Sequence, residues 1–340
     1  MPTAFESDQV GKIQSIADYI TVIEAPTTPY SSMAEKRTRP SQTLHTWQVK
    51  HYKTIGHAGV MDNQDASGFS SNPRALLECY VQKTWDKPAV SDFAEETEIA
   101  GVPRGEMAEQ IADAVVAVKH AIERRCLSAS DTTADDGVAT PYATRGLFSW
   151  IASAAQTVKP VPADYRTPAE QLYTGTLAQF KEDNAASPYG FNDMCASSYI
   201  QRKGPHALDA FVGIHLKRKF SQLARYDDTA DNKANLRFTN RQATDKEFIN
   251  VIDRLVLDTG TINLHLSSFL YTTAATGADT DYTHRSGVAV DMDMCGIAFT
   301  RAPRVVRLPY AGGGYKAIVD TIFLNMMDNP LGALEWTISS

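Results

Sequence analysis

IEAPTTPYSSMAEKRTRPSQTLHTWQVK, residues 23–50, is the stretch on which the reading of this chain turns. It runs from an amphipathic opening through a TPYSSM turn at 28–33 into a basic, hydroxyl-rich strand centred on His45, Thr46 and Trp47. From Thr43 to Tyr52, TLHTWQVKHY alternates apolar or aromatic residues with polar ones, the period of a strand. The polar segment HAGVMDNQDASGFSSNPR follows, and ALLECYVQKTW at 75–85 is a second β-rich run. A hairpin with about 20 residues of polar tip far exceeds the loops of about 4–6 residues usual in compact domains. An isolated two-stranded ribbon is marginal in water, so this one needs a neighbouring molecule. Nothing in the stretch carries catalytic chemistry. It reads as an arm and the first strand of an exposed hairpin in an assembly protein.

Downstream, the clearest periodicity is RGEMAEQIADAVVAVKHAIERRCL, Arg104 to Leu127. Met107, Ile111, Val115, Val118, Ile122 and Cys126 recur at spacings of three and four and form one apolar stripe. Acidic residues occupy the first half and Lys119, His120, Arg124 and Arg125 the second, which complements the helix dipole. At 1.5 Å per residue such a helix is about 35 Å long, enough to be a domain's spine. Shorter helices are expected at 8–25, 146–157 and 168–184. LDAFVGIHLKRKFSQL at 208–223 reads as a buried strand followed by an amphipathic helix. Strands are expected at 248–257 and 262–270, joined by an Asp258-Thr259-Gly260 turn, and at 287–300, 315–326 and the final ALEWTI. RAPRVVRLPYAGGG separates two of these as a loop. The class is α+β.

Composition bounds the function. The chain has 340 residues, 43% hydrophobic and 21% charged, as in ordinary soluble globular proteins. No stretch approaches the roughly 18 apolar residues of a membrane span, and no secretory h-region opens the chain. A formal charge of -7 argues against a dedicated nucleic-acid binder. Cys79, Cys126, Cys195 and Cys295 form no CxxC pair and read as reduced thiols of a protein made in cytoplasm.

Catalytic and cofactor motifs are missing: there is no P-loop, GxSxG, HExxH, GxGxxG or EF-hand pattern. Gly312-Gly313-Gly314 lacks the following Lys-Ser/Thr of a phosphate loop and reads as a flexible tip. Asp279, Asp281, Asp291 and Asp293 can offer oxygen ligands to calcium or magnesium, but solvated carboxylates explain them equally well. No catalytic residue, cofactor or metal ligand is therefore assigned. The basic runs KRKF (217–220) and RAPRVVR (301–307) can touch phosphates or pair between subunits, and the second reading is preferred. Trp47 and Trp85 are expected on opposite strands of the hairpin, packed across it and against a neighbour. The expected assembly contacts are His45, Trp47, Tyr52, Tyr80, Trp85, Arg301, Arg304 and Arg307.

The order of these parts resembles the major capsid proteins of tailed bacteriophages with the HK97-type fold. The residues that carry the resemblance are Thr28-Pro29-Tyr30-Ser31-Ser32-Met33, then Thr43-Leu44-His45-Thr46-Trp47-Gln48. The strand-helix unit at 209–220 and the turn at 257–260 add to it, with Thr-Gly where the family has Phe-Gly. The segment 293–303, ending Arg301-Ala302-Pro303, completes it. The resemblance implies an N-terminal arm at 1–35, an E-loop at 36–92, a P-domain spine region at 93–145 and an A-domain at 146–262. It assigns 263–340 to the P-domain sheet, its P-loop and the C-terminal strand. It also implies hexamers and pentamers closing an icosahedral shell around double-stranded DNA, with DNA held by non-specific proximity. A separate scaffolding protein, a portal and a decoration protein are the further implied partners, and no membrane. The Lys–Asn cross-link of the fold's namesake finds no partner for Lys83 or Lys87. Two other readings stand beside this one: an encapsulin-like nanocompartment shell, and an enzyme on an unrelated α+β fold.

Overall fold

A computed structural model describes residues 27–53, 55–63, 65, 68–97, 105–152, 156–181, 188–223, 252–270, 284–310 and 313–338. The helix expected at 8–25 lies outside these residues. In chain order the elements are α1 (Pro29–Met33), β1 (Glu35–Arg37), β2 (Leu44–Val49), β3 (Ala75–Tyr80), β4 (Gln82–Asp86), β5 (Ala89–Ser91), α2 (Asp92–Glu96) and α3 (Glu106–Cys126). Then come α4 (Leu147–Ile151), β6 (Leu172–Tyr173), α5 (Phe191–Arg202), β7 (His206–Val212), α6 (Ile214–Leu223), β8 (Arg254–Leu257) and β9 (Gly260–Leu266). The chain finishes with β10 (Gly287–Val290), β11 (Cys295–Arg307), β12 (Gly314–Met327) and β13 (Leu334–Trp336). It divides into two compact units, and passes between them within α3, β11 and β12 and at the end of β4.

The larger unit takes in 27–84, 119–302 and 321–340. Its main sheet has six strands in the order β6-β13-β10-β7-β9-β8. β7 and β9 run parallel from His206↔Gly260 to Val212↔Leu266, while β8 folds back antiparallel on β9. The Leu257↔Gly260 pair leaves Asp258-Thr259 as a two-residue turn, as the sequence predicts. One side of the sheet is an aromatic core in which Phe180, Phe191, Phe220 and Trp336 meet edge to face, Phe180–Phe220 at 5.5 Å and Phe220–Trp336 at 5.3 Å. Phe191 and Phe220 are brought there by α5 and α6.

Helix α5 was not expected. FNDMCASSYIQR has small polar residues where an amphipathic stripe should be, yet Ser197 and Ser198 are buried. Their size permits close approach: the Ser198 hydroxyl donates to the Gly332 carbonyl at 2.9 Å. The helix predicted at 168–184 is instead a 3-10 turn at Ala169–Gln171 running into β6. Tertiary pairing overrides local propensity there, because β6 adds in parallel to β13. Of the predicted helix at 146–157, the described part is helical only over Leu147–Ile151. The domain boundary expected at 262 falls inside β9, and β10 and β13, beyond it, belong to the same sheet. A sheet assembled from distant segments cannot be cut at one point in the sequence.

The smaller unit takes in 85–118 and 303–320 among its described residues. Here β5 pairs antiparallel with β12, Val90 opposite Tyr315, and Val90, Met107 and Ala317 make a small core with Ala94 and Ile111 against it. That core receives the first two residues of the predicted stripe of α3, Met107 and Ile111. The carboxylate of Glu95 accepts the Met107 N–H at 2.8 Å, satisfying one of the free donors of the helix start. Gly105 sits at φ +89, a conformation that side chains rarely adopt, with the same carboxylate 2.8 Å from where a Cβ would stand. Acidic Glu106 and Glu109 and basic Arg124 and Arg125 sit at the two ends of α3, as predicted. RAPRVVR, expected as a loop, is the second half of β11. Its β-branched Val305 and Val306 and the pairing of Leu308 N–H with the Lys316 carbonyl at 2.9 Å carry the hairpin onward.

Candidate assembly surface

The TPYSSM turn is a single helical turn with a built socket. Pro29 stands at the first position, where an N–H would have no helical partner anyway. The next two N–H groups, of Tyr30 and Ser31, are taken by the two oxygens of Glu123 at 2.8 and 2.7 Å. The wholly buried Tyr30 ring meets Phe211 edge to face at 5.5 Å, and its hydroxyl donates to Asn325 Oδ1 at 2.6 Å. Burial pushes the Tyr30 hydroxyl pKa well up, so it stays a neutral donor. Burial also raises the Glu123 carboxyl against the opposing pull of the Ser31 and Tyr30 N–H groups. From there β1 pairs in parallel with β11, and Arg37 bridges to Asp328 at 3.2 Å and to the Asp293 carbonyl at 2.7 Å. Gly296 lets that arginine pass: a Cβ there would lie 2.5 Å from Arg37 Cγ. Sequence reasoning found the turn but not Glu123 or Asn325, which lie 93 and 295 residues from Tyr30.

The hairpin is β2 against β3, in register from Leu44↔Tyr80 to Val49↔Ala75. His45 and Trp47 share one face with their partners Cys79 and Leu77, both buried. Trp47 lies 5.6 Å from Trp150, and His45 stacks on Trp47 at 5.9 Å. Partial burial lowers the His45 pKa. Below Trp150 the guanidinium of Arg145 sits 4.5 Å from the ring. That arginine is fully buried, paired to Asp131 at 2.8 Å and donating to the Val158 and Lys159 carbonyls. Trp47 is thus half-buried within its own chain. Tyr80 is engaged likewise: it packs on Tyr142 at 5.5 Å and its N–H donates to the Thr132 hydroxyl at 3.1 Å.

Trp85 corrects the expectation. It does not lie across from Trp47, whose partner is Leu77; it belongs to β4, half-exposed, with the Lys87 ammonium 4.8 Å over its ring. The ladder ends at Leu44↔Tyr80, followed by one bond from Val81 N–H to the Thr43 carbonyl. Pro40, with no N–H to offer, stands just upstream. Arg301, Arg304 and Arg307 all fall in β11. Arg304 donates to the buried Asp320 at 3.0 Å, the Arg301 carbonyl accepts from the Thr321 hydroxyl at 3.0 Å, and Arg307 is exposed with no ion pair among the described residues.

Beyond Val49 and Ala75 the two arms of the hairpin carry no ladder among the described residues, and the apolar side chains point to solvent. Tyr52 is 93% exposed and Phe69 91%, with Ile55, Val60 and Met61 close behind. All four cysteines are free and buried, and burial raises the thiols of Cys126, Cys195 and Cys295. Among the described residues no three His, Cys, Asp or Glu side chains come together as a metal site, and no helix is long and apolar enough to cross a membrane.

A spine helix, a sheet-and-helix unit and a long hairpin whose described apolar side chains are exposed define the HK97-like capsid fold, that of viral shell subunits. The capsid protein of cyanophage P-SCSP1u has a similar structure: TM-score 0.57 at 11% identity over 96% of this chain and 93% of that one. The capsid of a native GTA particle gives 0.58 at 13% identity, covering 97% and 96%. Mycobacterium phage Bobi gives 0.54 at 10% identity, covering 96% of each chain. No curated protein matches the chain. The family model of the SU10 major capsid protein matches residues 2–321, and the chain belongs to that family. It is a phage major capsid protein, a structural constituent of the virion shell.

Proposed function

We propose that this subunit assembles as hexamers and pentamers into an icosahedral shell around phage double-stranded DNA, without catalysing a reaction. The observation that carries the reading is the hairpin tip. Five large apolar side chains, Tyr52, Ile55, Val60, Met61 and Phe69, are largely exposed within the subunit. So many large apolar side chains exposed along one short segment favour a surface that is covered by another molecule. We assign the tip as the E-loop segment that laps over a neighbouring subunit, and the chain up to about residue 35 as the N-terminal arm. Helix α3 is the P-domain spine, and the six-stranded sheet with α5 and α6 forms the axial domain.

Trp85, Arg304 and Arg307 are assigned as rim contacts. His45, Trp47 and Tyr80 support the hairpin from within, and Arg301 is assigned to the strand that carries the other two arginines. A separate scaffolding protein, a portal and a decoration protein complete the assembly, and DNA is enclosed without sequence-specific contact. The test is direct: purified protein, alone and with lysate, is followed by size exclusion and negative-stain electron microscopy. Capsomers or closed shells are expected, and a stable monomer under every condition would end this reading.

A further inference from the structure

Among the described residues the hairpin continues past Val49 and Ala75 without a ladder, so contacts at its root bear on the direction it takes. Immediately after β2, His51 lies flat on Tyr165, ring centroids 4.3 Å apart and planes within 15°. Two hydrogen bonds run alongside the stack. His51 Nε2 approaches the Asp164 carbonyl at 3.1 Å, and the Tyr165 hydroxyl donates to the carbonyl of Val49, the last residue of β2, at 3.4 Å. Tyr165 is itself buried and belongs to a tight turn, Ala163–Tyr165, closed by its N–H to the Pro162 carbonyl at 2.9 Å. On the hairpin side the same region is tied across: Asn72 donates its side-chain amide to the His51 carbonyl, and Lys53 donates to the Ser70 carbonyl and hydroxyl, both at 2.6 Å. Among the described residues the chain between Val49 and Ala75 is thus fastened to the body at His51, and its two arms are fastened to each other just beyond it.

We propose that His51 and Tyr165 form a root clamp that sets the direction in which the hairpin tip is presented to a neighbouring subunit. The inference rests on the proposal that this tip laps over a second copy of the chain, and it adds that the angle of overlap is fixed inside each subunit before assembly. Both residues are positioning residues: neither needs to touch the neighbour. An aromatic stack with a hydrogen bond on each side biases a two-position equilibrium by roughly ten- to a hundredfold. Holding one orientation removes an ordering cost that a freely swinging loop would meet at every contact in the shell.

The test uses the whole subunit. Because the native cysteines are buried, labels can be placed selectively at Gly59→Cys on the tip and Ile200→Cys on α5, both exposed, and the spread of distances between them measured by pulsed spin resonance. His51→Ala is expected to broaden that distribution and to lower the yield of assembled shells about tenfold, with the subunit still folding cooperatively in urea. His51→Phe, which keeps the stack, is expected to restore both readouts in large part. An unchanged distance distribution in His51→Ala overturns the clamp, and so does a broadened one with normal assembly. The tip variant Ile55→Ser/Phe69→Ser separates the two claims: normal shells from that variant remove the overlap reading itself, whereas failed shells beside a normally assembling His51→Ala remove only the clamp.

Discussion

Replacing Tyr30 by Phe removes one oxygen from the centre of the larger unit, and the structure says what that costs. The ring keeps its place against Phe211, and the backbone N–H keeps Glu123. What disappears is the 2.6 Å bond to Asn325 Oδ1. Asn325 is fully buried; its own amide is committed to the Arg145 carbonyl at 3.0 Å and its N–H to the Thr144 hydroxyl at 3.0 Å. Oδ1 is left without its donor in a fully buried site, which costs about 1–3 kcal/mol. Urea unfolding followed by tryptophan fluorescence measures it, since Trp47, Trp150 and Trp336 all lie in the larger unit. The expected change is a lower midpoint at unchanged slope. Asn325→Ala alone is expected to cost more, because it also strands the Arg145 carbonyl, and the two substitutions should be non-additive by about 0.5 kcal/mol or more. A loss below roughly 0.5 kcal/mol for Tyr30→Phe, or strict additivity of the pair, would refute the reasoning that the TPYSSM turn is held by this socket.

Burial pushes the Glu335 carboxyl up to about 7, against the pull of its bond from the Thr337 hydroxyl. Its folded value lies above the ordinary 4.5, so the folded state keeps a proton that the unfolded chain gives up. This contribution is fully present below pH 4.5 and is lost as pH rises through 7, roughly 3 kcal/mol in all. Glu335→Gln should flatten that slope in unfolding measurements between pH 4.5 and 8; an unaltered slope would rule the assignment out. Trp47→Ala should destabilise the isolated subunit by about 2 kcal/mol as well as impair assembly, because the ring packs on Trp150 and over Leu77. A midpoint equal to that of the parent would return Trp47 to a purely intersubunit role. Tyr52→Ser/Phe69→Ser should leave the unfolding midpoint in place and suppress shells in electron microscopy, and a lowered midpoint would mean that these side chains pack within the subunit.

Much of this molecule was legible before its structure. The period of α3 was visible because one helix face meets one apolar surface, so burial is written at spacings of three and four. The hairpin was visible because its residues alternate on either side of a long loop. Helix α5 was not, since it packs through serines whose value lies in their small size, and size at a contact is invisible without the contact. RAPRVVR reads as a loop by its prolyl and charged residues, and becomes strand only because β12 pairs with it. Trp85 was placed opposite Trp47 on the assumption of one continuous strand, whereas the ladder stops where its partner strand begins at Leu44.

The division has a physical basis. Local pattern by itself determined the α+β class, the spine helix and the hairpin, since these depend on residues within one or two turns or strands of each other. Only the tertiary structure decided that Glu123 and Asn325 hold Tyr30 and that a buried Arg145 underlies the tryptophan pair. It also decided that the main sheet draws its strands from 172 to 336, and that His51 leans on Tyr165 at the hairpin's root. Those partners are 93 to 295 residues apart or meet across elements, and hydrogen bonds and stacking over such separations leave no periodic trace in the chain.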